Sequence, residues 1–144
     1  MALYLDTSCL LKLFFPEPET PRTITLIAAE PRVLVSSLAR LEALSQLHAR
    51  VVGGLLSAAR ARRLRERMAA MLGLAPYEPV RCPGDIIDLA ESQVDVSAKT
   101  GYCRTLDRLH LATMQAFGVQ RLLTNDDTQA AAARALGLDV VLPR

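Results

Sequence analysis

Four acidic residues occupy positions from which they could act together. Asp6 ends a short apolar run, ALYLD, and is followed by the hydroxyls of Thr7 and Ser8. Asp126 follows a second apolar run in LLTND, two residues after Thr124. Asp107 lies in RTLDRLHLA and Glu42 in SSLARLEALSQL, both stretches that read as helix. Carboxylates are hard oxygen donors. Three or four of them converging would suit Mg2+ or Mn2+, which take few protein ligands and keep several waters. Each acid also has an ordinary use. An Asp after a strand commonly caps the next helix, an acid in a first helical turn complements the helix dipole, and a mid-helix Glu is usually solvated. Whether the four meet depends on the elements that carry them.

Those elements alternate. Residues 2–6 read as a strand and 7–15 as a helix stopped by Pro16 and Pro18. A second helix starts at Pro21, which suits a first turn, and runs to about Glu30. Residues 33–36 form a second strand, and Ser36 or Ser37 caps a long helix whose Leu38, Leu41, Leu44, Val51 and Val52 point broadly one way. Gly53 and Gly54 separate it from a helix at about 55–72. Residues 77–80 read as an edge-like strand, since Pro79 cannot donate to a ladder. Helices are expected at 84–99 and 105–117, with Thr105 as a cap for the latter, then a strand at 120–124, a helix from 126 to about 136 stopped by Gly137, and a strand at 139–142. Short apolar strands alternating with helices indicate an α/β fold, a central parallel sheet flanked by helices. In such sheets ligands gather beyond the carboxyl ends of the strands, where strand order reverses. Asp6 and Asp126 both fall at that end.

Composition narrows the class. At 144 residues the chain reads as one domain spanning 1–144, large enough for its own core. No apolar run reaches the roughly 18 residues of a membrane helix, and no signal-peptide pattern opens the chain, so a cytoplasmic protein with no membrane partner is expected. Cys9, Cys82 and Cys103 are odd in number and far apart, which suggests packing residues rather than disulfides or zinc ligands. The net charge of +2 says little about partners, but five arginines fall between Arg60 and Arg67. On a helix, Leu64, Met68, Met71 and Leu72 would face inward, Arg60, Arg63 and Arg67 would flank them, and Arg62 would point to solvent. That is a solvated face first, and a phosphate-contacting one second. His110, three residues after Asp107, reads as a hydrogen-bonded packing residue rather than a base, and His48 as exposed.

With these motifs in view, LYLDTSCLLKLFFPEPET, SSLARLEALSQL, RTLDRLHLATMQAFG and LLTNDDTQAAAARALGLDVV resemble, in order and spacing, the four acidic motifs of the PIN-domain nucleases, and more narrowly the VapC toxins of VapBC toxin–antitoxin pairs. The resemblance spans essentially the whole chain. It implies a PIN-like three-layer domain and a Mg2+- or Mn2+-dependent ribonuclease that leaves a 5′-phosphate and a 3′-hydroxyl. Asp6 and Asp107 would be metal ligands, and Glu42 and Asp126 would complete the pocket. Thr7 or Thr124 would orient ligands or water. It further implies a homodimer and a VapB-like antitoxin whose basic side chain enters the acidic site. Three positions depart from the usual pattern. Arg108 replaces a small residue, Cys9 stands where Ala is common, and Asp127 makes a doublet with Asp126, of which the T-x-D spacing favours Asp126.

Rival chemistries fare worse. Phosphoryl transfer on an aspartate after strand 1 needs a second Asp two residues on, where Ser8 stands, and no G-x-G-x-x-G follows strand 1 for a dinucleotide. A PIN-like RNA- or partner-binding module with a weakened site is the alternative, opposed by the presence of all four acids. Four gathered carboxylates would repel one another, so replacing one, such as Asp6, by its amide is expected to stabilise the metal-free protein.

Overall fold

The computed structural model describes residues 1–144. Five strands form one parallel sheet: β1 (Leu3–Leu5), β2 (Val33–Ser36), β3 (Tyr77–Val80), β4 (Arg121–Leu123) and β5 (Asp139–Val141), in the order β3-β2-β1-β4-β5. From β1 the chain builds outward to β3 on one side, then returns to lay β4 and β5 on the other. The order therefore reverses between β1 and β4, which pair from Leu3↔Arg121 to Leu5↔Leu123. As the proline implied, β3 is an edge strand.

Strand alternation divides the interior into two layers. Leu3, Leu5, Val33 and Val35 face one way and pack with Leu10, Ala39, Leu47, Leu64 and Met68 from α1 (Thr7–Lys12), α3 (Ser37–Val52) and α4 (Ala58–Leu72). The helix α2 (Thr20–Ala28) adds Ile27 to the same layer. Tyr4, Leu34 and Leu122 face the other way, against Leu111 and Met114 of α6 (Thr105–Phe117) and Ala132 and Ala133 of α7 (Asp127–Ala135). Against α6 also lies α5 (Ile86–Gln93). The sheet is covered on both faces, so its strands are short and apolar. No helix is long and apolar enough to cross a membrane.

Four local expectations need correction. The inward stripe of α3 is Ala39, Ala43 and Leu47, at i, i+4 and i+8, while Leu41 is 61% and Val52 73% exposed. Small alanines let the helix lie close to the sheet, and that contact outweighs the larger but misplaced leucines. The helix expected at 84–99 ends at Gln93, and only a 3-10 turn, Ala98–Thr100, follows. Val94 is extended, and Asp95 Oδ1 accepts the Ser97 N–H at 2.9 Å, a local bond that competes with the helix ladder. The first helix stops at Lys12 rather than Phe15, and the fourth begins at Ala58 because Ser57 caps it, accepting from the Arg60 N–H. Its buried residues are Leu64, Met68 and Leu72, Met71 of the expected stripe is only half-buried, and all five arginines are exposed.

Candidate active site

Three layers deliver the four acids to one end of the sheet. Asp6 follows β1 and Asp126 lies just beyond β4, on either side of the point where strand order reverses. Glu42 comes from α3 on one face and Asp107 from the first turn of α6 on the other.

Asp6 occupies the N-cap position of α1, yet its carboxylate makes no cap hydrogen bond. Instead Ser8 Oγ and Thr124 Oγ1 each donate to Oδ2 at 2.8 Å. Buried Gln129, with its NH2 group turned to the carboxylate, donates to Oδ2 at 2.9 Å and Oδ1 at 3.0 Å. The opposite amide orientation would set carbonyl against carboxylate. A side chain that declines the ordinary capping bond and collects hydroxyl and amide donors is held as an oriented anion. Asp126 does both jobs: it caps α7 by accepting the Gln129 N–H at 3.0 Å, and its second oxygen faces the Arg104 guanidinium at 3.7 Å. Asp127 instead pairs with Arg144 at 2.6 Å, so of the doublet it is Asp126 that shares Arg104 with Asp107.

Glu42 is reached from two sides. Thr7 Oγ1 donates to Oε1 at 2.9 Å, and His110 Nε2 makes a short contact with the same oxygen. Burial pushes the Glu42 carboxyl up. The hydrogen bond and charge of His110, joined by Thr7 and Arg104, outweigh it and hold the group below the ordinary glutamate range. His110 is fully buried, with Nδ1 2.7 Å from the Tyr4 hydroxyl, which in turn lies 2.8 Å from Ser36 Oγ. With Nε2 donating to the Glu42 carboxylate, Nδ1 accepts from the Tyr4 hydroxyl when the ring is neutral and donates to it when the ring is an imidazolium. His110 thus has the packing and orienting place expected of it, and His48 is exposed.

Asp107 is the least satisfied of the four. Burial raises its carboxyl above the ordinary aspartate range. Arg104, donating from Nε to Oδ2 at 3.2 Å, opposes the rise, while the charges of Asp126 and Asp6 add to it. Thr105 is not the cap; the N-cap position is Arg104, with no side-chain cap bond. Chemically the donor types suit a hard divalent ion: carboxylate oxygens, one group of them disfavoured as an anion first by burial and then by its negative neighbours. As they stand, no three of the acids form a closed ligand set. Glu42 is engaged by Thr7 and His110, and the guanidinium of Arg104 lies against Asp107 and Asp126.

A cavity of about 750 Å3 lies elsewhere, between α5, residues 94–103 and α6, and none of the four acids lines it. Arg108 does. It is buried, donates from Nη2 to the Gly101 carbonyl at 3.2 Å, and leaves Nη1 without a partner. The three cysteines are free, and burial pushes the Cys9 thiol up to about 12, the opposite of an activated nucleophile.

Sequence reasoning overlooked Gln129 and Arg104, and noted the Ser8 hydroxyl after Asp6 without giving it a role. Gln129 stands three residues after the cap Asp126, a capping-box spacing that flags its position but not its turn toward Asp6. Arg104 stands three before Asp107, a helix-neighbour spacing that signals the pair.

An α/β domain with four acids at the reversal point of a parallel sheet belongs to the class of open parallel-sheet proteins that bind ligands beyond the strand ends, and comparison with known proteins gives the family. The PIN domain profile matches residues 3–135. Ribonuclease VapC46 of Mycobacterium tuberculosis (strain ATCC 25618 / H37Rv) is 34% identical over 144 residues, covering 99% of this chain and 98% of that protein. The chain belongs to the PIN-domain family. Among solved structures, VapC20 of Mycobacterium tuberculosis, described as a sarcin–ricin loop cleaving toxin, superposes with a TM-score of 0.68 at 20% identity, covering 90% of this chain and 94% of that one. A toxin–antitoxin complex from Klebsiella pneumoniae gives 0.65 at 19%, covering 100% and 98%. At those identities the structures speak for the fold.

Proposed function

We propose that this chain, as one domain, is a divalent-metal-dependent ribonuclease acting as the toxin of a type II toxin–antitoxin pair. The observation that carries the reading is the arrival of Asp6, Glu42, Asp107 and Asp126 from four different elements at one sheet end, in a chain 34% identical to a named ribonuclease. Asp6, Asp107 and Asp126 would hold Mg2+ or Mn2+, with Glu42 completing the acidic wall. When bound, such an ion supplies Lewis acidity toward the scissile phosphate and lowers the pKa of a water nucleophile.

The chain's own residues prepare that chemistry. Ser8, Thr124 and Gln129 fix the orientation of Asp6. Capping α7 fixes Asp126. Thr7 and His110 keep Glu42 ionised and aimed into the pocket, with Tyr4 and Ser36 fixing the histidine from behind. Hydrolysis of an RNA phosphodiester would leave a 5′-phosphate and a 3′-hydroxyl. The same acidic pocket suits a basic side chain of an antitoxin, and toxin–antitoxin assemblies share the fold. A homodimer working in the cytoplasm, where free cysteines persist, belongs to the same reading. The alternative of a decayed binding module is disfavoured by the dense support around Asp6 and Glu42.

The test is cleavage of structured RNA by the purified protein with Mn2+, with Mg2+ and with chelator, beside Asp6→Asn and Asp107→Asn. Cleavage is expected only with metal and only in wild type. Cleavage that survives chelator, or that both variants retain, rejects the assignment.

A further inference from the structure

Arg104 is the one cation inside the acidic site that the proposed chemistry does not use. Its Nε lies 3.2 Å from Asp107 Oδ2 and its Nη2 3.7 Å from Asp126 Oδ2, and its charge is felt by Glu42 as well. The guanidinium therefore sits against two of the three carboxylates assigned to the metal, in a site where no three acids close on a common point. It is not buried under them. Its side chain is 74% exposed, whereas that of Asp107 is 9% exposed, so the arginine covers the acids from the solvent side. Its backbone is extended at the end of the irregular segment running from Gly101, and the polar contacts of its side chain are those to Asp107 and Asp126. Few contacts would resist its movement.

A divalent ion bound by Asp107 and Asp126 would compete with the guanidinium for the same carboxylate charge and repel it at close range. We propose that Arg104 is an internal placeholder for the metal: it neutralises Asp107 and Asp126 in the metal-free protein, is displaced when a divalent ion takes those oxygens, and then binds a phosphate of the RNA strand at the mouth of the site. The guanidinium suits both partners because its planar fork matches carboxylate and phosphate oxygens alike. Release leaves it at the rim, tethered three residues from Asp107, where an RNA backbone approaching the metal must pass.

The inference rests on the metal-site assignment, and the experiment separates the two. Mn2+ binding is measured by titration calorimetry for wild type, Arg104→Gln, Arg104→Lys and Asp6→Asn. Binding of a labelled, cleavage-resistant phosphorothioate RNA oligonucleotide of mixed sequence is measured for the first three proteins, with Mn2+ and with chelator. Removing a competing unit charge about 5 Å away, in an environment close to water, is expected to tighten Mn2+ binding in Arg104→Gln by roughly three- to tenfold. Arg104→Lys should stay near wild type. With Mn2+ present, Arg104→Gln should bind the oligonucleotide more weakly, its salt dependence shallower by about 0.7 in the log–log slope, as for one lost single-strand phosphate contact. In chelator that change in slope should be absent, because wild-type Arg104 is then engaged by its own carboxylates. Unchanged or weaker Mn2+ binding by Arg104→Gln, or an equal change in slope with and without Mn2+, overturns the proposal while leaving the metal site intact. Failure of wild type to bind Mn2+, or undiminished binding by Asp6→Asn, overturns both.

Discussion

Replacing Thr124 by valine tests the support of Asp6 with almost no change in shape. Thr124 is fully buried; its hydroxyl donates to Asp6 Oδ2 at 2.8 Å, and Thr124 Oγ1 itself accepts the Asp126 N–H at 3.1 Å. A hydrogen bond to a charged acceptor is worth about 1.5–3 kcal/mol, and an amide left partly unsatisfied costs about 1 kcal/mol more. Ser8 and Gln129 remain on Asp6, so the total should lie within the combined range of about 2.5–4 kcal/mol, near 3 kcal/mol. For a domain of this length that corresponds to a Tm roughly 10 °C lower. Thr124→Ser keeps the hydroxyl and loses one buried methyl, a cost of about 1 kcal/mol. The assay is thermal melting in chelator at neutral pH, so that metal does not mask the difference. The reasoning is refuted if Thr124→Val melts with wild type, or if Thr124→Ser falls as far as Thr124→Val. The second result would mean that the methyl, not the hydroxyl, holds this corner.

Two further predictions follow from how the site titrates. Asp107 has a raised folded-state pKa, chiefly from burial, so its contribution is intact below the ordinary aspartate range and is lost as pH rises through the folded value. Asp107→Asn should therefore melt a few degrees above wild type at neutral pH in chelator. The gap should close as pH falls into that range, and a gap independent of pH counts against the electrostatic cause. Glu42 is the reverse case. Its folded-state pKa is held down, with His110 outweighing burial, so its contribution is present above the ordinary glutamate range and is lost as pH falls through the lower folded value. Glu42→Gln should melt below wild type at neutral pH and converge with it in acid, and melting equal to wild type at neutral pH would discount the His110 contact.

The sequence is most informative where periodicity and punctuation agree. Alternating apolar strands and prolines anticipate the parallel sheet, its edge strand β3 and the end at which Asp6 and Asp126 emerge. What pattern alone does not carry is which way a polar side chain turns. Asp6 has the sequence context of a helix cap, and only the positions of Ser8, Thr124 and Gln129 show that it is used differently. Repulsion among four carboxylates suggests that any one of them could be relieved by amidation. The donors around Asp6 and the pairing of Glu42 move that expectation onto Asp107. Large leucines drew attention to the wrong face of α3, because close approach to a sheet favours the small Ala39 and Ala43. The early end of the helix before Val94 depends on one side-chain-to-backbone bond from Asp95, beyond the reach of an apolar period.

Because every strand runs the same way, the two chain ends lie at opposite poles. Met1 is exposed beside Phe117 and Gln120, at the amino ends of β1 and β4, whereas Arg144 reaches the Asn125 carbonyl and Asp127 at the rim of the acidic pocket. A fluorophore, affinity handle or immobilising surface joined before Met1 would leave the pocket facing open solvent. The same attachment after Arg144 would stand in the doorway, competing with whatever strand or partner is being assayed and pulling on the pair that draws Asp127 away from the acids. The choice of attachment end is therefore itself an experimental variable for this fold.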